Sequence, residues 1–457
     1  MRQSHSFLSL LAAVAVMGVP ATPAAAQQAL PPVRPLGPIE HVTTEPMRAV
    51  SAVRELPGRR VLVNDIVAHR VLLLDSTLAN PLAVADSTSS TANAYGNMPG
   101  GLIPYRGDST LFIDPASLSM LVLNGNGGIA RVMSVPHPRN AMALIGGPFG
   151  QTGFDPAGRL VYRGSLMPEI KPAQKGDDPK MAVPQFPDSA PILRVTLATR
   201  AEDTVAYYRL PPTNLSVVRT ADGVRVTSKM NPMPVVDDWA LMPDGTVAIV
   251  RGRDFHVDYI HPDGTRTSSP AIPFEWERLT DDLKVAVLDS ARQVMEQRRQ
   301  EMLDRLQATR EAGGAAGKQG AGRASSGGRG GAERTMTVVM MGGSMATAES
   351  GPPRRGSATQ TITLPPLQMV EPHELPDYRP AFSAGAVKCD LEGRLWIRTS
   401  QVRDGRPLYD VVNAQGELTD RVLLPAHRDL AGFGQGVVYL GVTDSTGVVH
   451  LERARMQ

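Results

Sequence analysis

One position of a repeated unit carries the residues that could do chemistry. In six segments an apolar triplet follows a turn built on Gly or Asp, and the residues directly after the triplets are, in chain order, Asn64, Asp114, Arg163, Arg251, Arg398 and Gly441. Clustered guanidinium groups suit carboxylates, phosphates or sulfated sugars, because each planar group can donate to two oxygens. The pattern predicts an anion-binding site of Arg163, Arg251 and Arg398. The alternative is that each arginine pairs with an acidic residue of the next unit.

Three glycine-rich segments resemble catalytic or nucleotide-binding motifs only in part. Gly125–Ala130 has the GxGxxG spacing, but strand-like residues follow it where a helix should present its amides to phosphate. Residues 312–318 lack the first glycine of a phosphate loop and the Ser or Thr after Lys318. Gly342–Ala346 lacks the last glycine of a nucleophile elbow. We therefore assign no catalytic residue and no cofactor.

A group of polar residues near His256 is the best candidate for a metal site. His256 and Asp258 share one face of a predicted strand by two-residue alternation, and His261 follows closely. Metals need three or four converging ligands, and no His-x-x-x-His or Cys-x-x-Cys spacing supplies them. We interpret these residues as isolated polar positions on a strand and predict no metal site.

The elements that position the arginines are short antiparallel meanders. Gly, Asp and Asn supply the turns, and each unit contains four candidate strands. In the first unit these are Ala49–Leu56, Arg60–Asp65, Arg70–Asp75 and Pro81–Asp86. Several units end with an apolar residue before proline, as in Val135–Pro136 and Leu424–Pro425. Proline cannot donate to a strand ladder, so it fits the end of an outermost strand.

Six such meanders at a spacing of about 50 residues resemble the six-bladed β-propellers of the NHL and TolB-like kind. The resemblance covers residues 37–272 and 376–457 and rests on strand pattern and turns. It implies an all-β fold, the six-bladed β-propeller, and leaves the function open. Six-bladed relatives with calcium-dependent lactonase activity place their ligands in Glu-Gly-Pro and Ser-Asn-Gly contexts. Neither context occurs in this chain.

The two ends of the chain are predicted to meet. After the third strand of the last unit, only residues 453–457 remain, which leaves no room for a fourth strand. Residues Pro38–Thr44 form a spare strand near the other terminus. We expect this strand to complete the last blade and so to remove an exposed sheet edge.

Two insertions interrupt the repeat. The first, residues 165–190, separates the second and third strands of the third unit and is rich in proline. The second, residues 273–375, lies between the fourth and fifth units and contains a helix that Thr280 can cap and that should end at Gly313–Gly314. Its narrow apolar stripe is Leu288, Met295, Met302 and Leu306. The helix could lie along the propeller or project as a coiled-coil arm. Gly313–Gly331 is predicted to be disordered.

The N-terminus has the features of a secretory signal peptide. Arg2 and His5 precede an apolar run, and Ala24 and Ala26 provide the small residues of a cleavage site after Ala26. We predict a signal peptide over 1–26, a linker over 27–36, four blades within 37–272, the insertion over 273–375 and two blades within 376–457. The mature protein is expected to be periplasmic or secreted.

Composition narrows the classes of partner. The chain has 47 Lys plus Arg against 45 Asp plus Glu, which lacks the strong basic excess of nucleic-acid-binding proteins. The single cysteine, Cys389, excludes an intramolecular disulfide. We predict no membrane span. The favoured function is non-enzymatic binding of a protein partner or a small anionic ligand. The alternative is a hydrolase or lyase of the lactonase or amidating-lyase sort.

Overall fold

The computed structural model describes residues 30–87, 95–165, 187–212, 214–220, 223–317, 338–341, 344–347 and 367–456. Within these ranges, side chains are not described at 215–228, 302, 305–317, 338–341 and 344–347. The predicted signal peptide, most of the first insertion, and the Gly-rich segment beyond residue 317 lie outside the described residues.

The chain forms a six-bladed β-propeller, as the repeat predicts. The strands of the first three blades are Val50–Glu55, Val61–Asp65, Arg70–Leu74 and Leu82–Ala85 in blade 1; Gly101–Pro104, Thr110–Asp114, Ser119–Leu123 and Ile129–Ser134 in blade 2; and Gly153–Phe154, Leu160–Arg163, Ser189–Thr196 and Ala201–Arg209 in blade 3. Blades 4 and 5 consist of Asp238–Leu241, Val247–Arg251, His256–Ile260 and Arg266–Ser268, and of Phe382–Cys389, Leu395–Arg403, Arg406–Val412 and Leu418–Leu423. The first strands of neighbouring blades contact one another, so they line the centre of the ring.

The ring is closed by the N-terminal part of the chain. Blade 6 contains Arg428–Gly434, Val437–Thr443 and Val449–Arg455, and its fourth strand is Ile39–Val42, which pairs antiparallel with the third. This is the place predicted for the spare N-terminal strand. A further strand, Val33–Pro35, pairs in parallel with the outer edge of blade 5. It lies within the predicted linker, where prolines favour the extended backbone that a sheet edge accepts.

The core lies between the blades. In blade 1, Val61 and Val63 pack towards blade 6, whereas Leu62 between them packs towards blade 2. This alternation follows from the two-residue period of a strand and makes each second strand apolar on both faces. Equivalent clusters fill all the remaining junctions between neighbouring blades. The apolar triplets detected in the sequence are therefore the residues that hold neighbouring blades together.

The long helix spans Asp281–Gly317. Its start is as predicted, because the hydroxyl oxygen of Thr280 accepts a hydrogen bond from Leu283 N–H at 3.3 Å. The end of the helix differs from the prediction, because the helix continues past Gly313–Gly314. A glycine inside a helix costs only about 1 kcal/mol relative to alanine, and the two residues after Gly314 are alanines.

The first half of the helix packs on an accessory layer beside the ring. Leu288 is buried against Met369, Val370 and Leu375, with Met295 at the edge of the same cluster. The layer includes a hairpin that the sequence analysis missed, Leu215–Thr220 with Gly223–Met230, and the short strand Gln368–Met369 beside it. The side chains of Met302 and Leu306 lie outside the described residues. A second hairpin, Val338–Met341 with Ser344–Thr347, lies within the insertion. Among the described residues, no helix is both long and apolar enough to cross a bilayer.

Candidate functional site

The predicted arginines lie on one face of the ring, which we call the arginine face. In blade 4 the end of the second strand pairs with the start of the first, so that Val250 lies opposite Asp238. Arg163 likewise ends the second strand of blade 3. In blade 5, Arg398 lies in the middle of a longer second strand, next to Thr399, which pairs with Phe382 at the start of the first strand. Residues at these ends therefore share a face with the beginnings of the first strands.

Arg251 already holds two carboxylates. Its Nη1 lies 2.7 Å from Asp237 Oδ2, and its Nε lies 2.7 Å from Asp258 Oδ2. Asp258 lies in the third strand of blade 4, and Asp237 directly precedes its first strand. The alternative considered in the sequence analysis expected an acidic partner in the next blade. Asp237 also accepts from the backbone N–H of Gly252 at 3.1 Å. Arg251 thus fastens the end of its own blade.

Arg398 is paired across a blade junction. Its Nη1 bonds to Asp429 Oδ1 in the first strand of blade 6. This is the type of partner that the sequence alternative expected. Both side chains are largely exposed, at 48% and 72%. Exposed ion pairs contribute about 0–1 kcal/mol, so this contact is a weak link between the blades.

Arg163 is in a different situation, because it is buried and no carboxylate of the described residues forms an ion pair with it. Only 9% of the residue is exposed, and its Cζ lies 4.9 Å from the centroid of the Phe149 ring. The Tyr208 hydroxyl is its hydrogen-bond partner, and its buried Nε has none. Within the described part of the chain, no carboxylate oxygen lies within 4 Å of it. Burial lowers the pKa of Arg163, while Tyr208 and Asp238 counteract that effect.

The Phe149 ring is held in place by a loop between blades 2 and 3. Trp239 Nε1 donates to the Phe149 carbonyl at 2.9 Å, which ties the loop to blade 4. The loop also reaches blade 5, where a side chain at Gly385 would come within 3.2 Å of Pro148 Cα. Gly385 additionally has φ +78°, which favours glycine. The aromatic surface beneath Arg163 is therefore part of a fixed structure.

Asp238 begins the first strand of blade 4 and is only 2% exposed. Its Oδ2 accepts from Val387 N–H of blade 5 at 2.9 Å, and its Oδ1 accepts from Trp239 N–H at 2.9 Å. Burial raises the pKa of Asp238 to about 7, although these backbone donors and Lys388 favour its charged form. Lys388, in the first strand of blade 5, is partly exposed, and burial lowers its pKa. Asp238 is the charged group that opposes that lowering.

Arg163, Tyr208, Asp238 and Lys388 form what we call the inner cluster. It contains two basic side chains and one carboxyl group. Buried charges are normally paired, because removing an ion from water costs several kcal/mol. Arg163 makes no ion pair with a carboxylate of the described residues, and its guanidinium is therefore suited to an incoming anion.

The sequence analysis missed three of these four residues. Asp238 follows Val236 and Asp237 and precedes Trp239 in a strand that is otherwise apolar, and Lys388 lies between Val387 and Cys389. A charged residue in a first strand faces the centre of the ring or a neighbouring blade. That signal was present in the sequence. To interpret this signal, one must know which strand of each blade is innermost.

The polar residues near His256 do not form a three-ligand site. His256 Nε2 lies 3.3 Å from Asp258 Oδ1, whereas the ring nitrogens of His261 bond to Thr246 and Thr267. Within the described ranges, no group of three or more His, Cys, Asp or Glu residues has the arrangement of a metal site.

No protein-family model and no curated protein sequence matches this chain. Solved structures with similar folds include three propellers. A catalytically inactive virginiamycin B lyase from Staphylococcus aureus is 10% identical over 89% of this chain and 98% of its own, with a TM-score of 0.34. The calcium-binding protein regucalcin from Agrobacterium tumefaciens is 11% identical over 93% and 98%, with a TM-score of 0.36. A gluconolactonase from Xanthomonas campestris is 10% identical over 92% and 99%, with a TM-score of 0.33. Similarity this low supports no inference about function.

Proposed function

We propose that this protein is an extracytoplasmic binding propeller that holds a small anionic ligand at the inner cluster. The observation that carries the proposal is Arg163, a buried cation with a phenol and an aromatic ring as neighbours in place of a carboxylate. An anion bound to the Arg163 guanidinium would supply the negatively charged partner that no described carboxylate provides through an ion pair. Lys388, which interacts electrostatically with Asp238, is the second basic group of the cluster.

Of the three arginines predicted from the sequence, Arg163 is the proposed primary contact. Arg251 and Arg398 each hold a carboxylate already. They would join an anion site only by releasing those partners. Release would cost Arg251 more, because two aspartates hold it, than Arg398, whose single ion pair is exposed.

The test is titration with sulfate, whose charge is constant over the working pH range. Wild-type protein should show saturable binding in isothermal titration calorimetry, and Arg163→Gln should weaken it at least tenfold. Arg398→Gln is the matched control, because it removes an arginine from the equivalent position of another blade. Equal affinities of wild type and Arg163→Gln for sulfate, or a larger loss in the control, would contradict the proposal.

The second candidate is a hydrolase or lyase, and one observation favours it. A carboxyl group with its pKa raised to about 7 can both donate and accept a proton near neutral pH, and Asp238 has this property beside two cations. Asp238 would then be the general acid or base, and Arg163 would stabilise a developing oxyanion. A panel of lactones and esters tests this candidate. Turnover that Asp238→Asn abolishes, with sulfate binding retained, would favour the enzyme.

Two further parts of the proposal rest on the sequence. The strand and turn pattern supports placing the chain with the NHL and TolB-like propellers. The basic start, apolar run and small residues before position 27 support export to the periplasm or medium after cleavage at Ala26. Intact-mass analysis of exported protein tests the second part, since a mature chain should begin at Gln27.

A further inference from the structure

A groove of about 470 Å³ opens on the arginine face, outside the inner cluster. It lies between the segment that leaves blade 4 and the second strand of blade 5. Among its lining residues, Phe274, Glu275 and Glu277 come from the segment that leaves blade 4, and Arg379, Val402 and Arg403 come from blade 5 and the segment that leads into it. Volumes of roughly 300–1,000 Å³ are typical of sites for small ligands. We call this feature the blade 5 groove.

The blade 5 groove is preformed. The segment with the two glutamates is fixed by backbone bonds, from Leu279 N–H to the Asp377 carbonyl at 2.8 Å and from Arg379 N–H to the Glu277 carbonyl at 2.9 Å. Phe274 packs edge-on against the buried Phe255 at 5.3 Å between ring centroids. A ligand would therefore meet walls that need little ordering, which lowers the entropic cost of binding.

The two parts of the chain that line the groove contribute charges of opposite sign. Glu275 and Glu277 are on the segment from blade 4, and each faces an arginine of the blade 5 side. Arg403 Nη2 lies 3.3 Å from Glu275 Oε2, and Arg379 bonds to Glu277. Glu275, Glu277 and Arg403 are about half-exposed. The exposed pairs with Arg403 and Arg379 contribute about 0–1 kcal/mol each, so a ligand with suitable charges can replace them at little cost. Glu275 also lies 3.4 Å from Nη2 of the buried Arg421, and this contact can remain when a ligand binds.

A buried network of hydrogen bonds and ion pairs holds the strand that carries Arg403 in position. Arg421 is almost fully buried in the fourth strand of blade 5, where its Nη2 donates to Gln401 Oε1 at 2.8 Å and its Nε lies 3.3 Å from Asp410 Oδ1. Gln401 in turn donates to the Glu275 carbonyl at 3.1 Å. Gln401 thus joins the strand that carries Val402 and Arg403 to the segment that carries Glu275.

We propose that the blade 5 groove binds a zwitterion, namely a free amino acid or a short peptide with both ends charged. The ammonium group pairs with the carboxylates of Glu275 and Glu277, and the carboxylate pairs with the guanidinium groups of Arg403 and Arg379. Phe274 and Val402 provide apolar surface for a side chain. The groove is lined by two glutamates and two arginines. A ligand with only one charge would therefore leave either the displaced glutamates or the displaced arginines without a partner. This site is independent of Arg163 and of the inner cluster.

Calorimetric titration with four probes tests the proposal on the wild-type chain. L-phenylalanine and phenylalanylphenylalanine carry both charges, phenylalanine amide lacks the carboxylate, and N-acetylphenylalanine lacks the ammonium group. The better of the two zwitterions should bind at least tenfold more tightly than the amide and the acetyl compound. The ranking of the amino acid and the dipeptide distinguishes the two sources of ligand.

Two variants assign the contacts. Arg403→Gln should remove the preference for phenylalanine over its amide, and Glu277→Gln should remove the preference for phenylalanine over its acetyl derivative. Arg406→Gln is the control, since Arg406 pairs with Asp404 at the tip of the same hairpin and does not line the groove. The proposal is overturned if the four probes bind the wild type equally or not at all at millimolar concentration, or if Arg403→Gln keeps the full preference.

Discussion

Arg163 and Arg251 end the second strands of neighbouring blades, yet their surroundings are opposite. Arg251 has two aspartates at 2.7 Å, whereas Arg163 is more deeply buried and has an aromatic ring and a phenol. The same residue at the same position of the repeat is held by two ion pairs in blade 4, whereas in blade 3 it makes no ion pair with any described carboxylate. Repetition of a residue in a propeller therefore predicts its place, while the neighbouring loops decide its role.

The largest expected difference between the surroundings of Arg163 and those of Arg251 is a pH dependence of the free energy of unfolding, which Asp238 should cause. In an unfolded chain an aspartate releases its proton near pH 4, but the pKa of Asp238 is raised to about 7 by burial. Between these values the folded protein binds a proton that the unfolded chain has released. Its free energy of unfolding should therefore fall as pH rises from about 4 to 7, by about 1.4 kcal/mol per pH unit at most.

Asp238→Asn removes this titration. Urea unfolding of both proteins at several pH values from 4.5 to 8 measures the difference between their free energies of unfolding. That difference should change steadily in favour of the variant up to about pH 7 and then level off. Parallel pH profiles for the two proteins would mean that Asp238 ionises normally.

The next effect concerns Arg251. Arg251→Met should lower the free energy of unfolding by about 1–3 kcal/mol, because it leaves Asp237 and Asp258 without their cation in a partly buried place. Urea unfolding at pH 7 measures the loss. If Arg251→Met were as stable as the wild type, the two ion pairs would contribute nothing, and the contrast with Arg163 would disappear.

Arg163→Met should act in the opposite direction. Methionine is shorter than arginine but flexible, so it can pack on the Phe149 ring, and it removes a buried charge that forms no ion pair with a described carboxylate. We expect stability equal to that of the wild type or higher by about 1 kcal/mol, together with loss of sulfate binding. A loss as large as that of Arg251→Met would show that Arg163 is a structural residue.

The sequence predicted what depends on residues close together in the chain. The alternation of Val61, Leu62 and Val63, and the turns around them, determine a blade, and the missing fourth strand of the last unit pointed to closure by the N-terminal segment. The partners of Arg163 could not be predicted in the same way. Tyr208 and Asp238 come from other strands, and Phe149 is presented by a loop that the repeat does not contain. Whether an arginine is paired depends on which side chains the ring brings together.

The smallest effect should be that of Arg398→Met. Arg398 and Asp429 are both largely exposed, so their ion pair is screened by water and salt. We expect a loss of about 0–1 kcal/mol in the free energy of unfolding, which decreases further in 0.5 M sodium chloride. The loss for Arg251→Met should persist better in salt, because its aspartates are less exposed. Comparing both variants with the wild type at low and high salt therefore ranks these two arginines by burial and pairing. A salt-insensitive loss above about 1 kcal/mol for Arg398→Met would show that the junction of blades 5 and 6 depends on this contact.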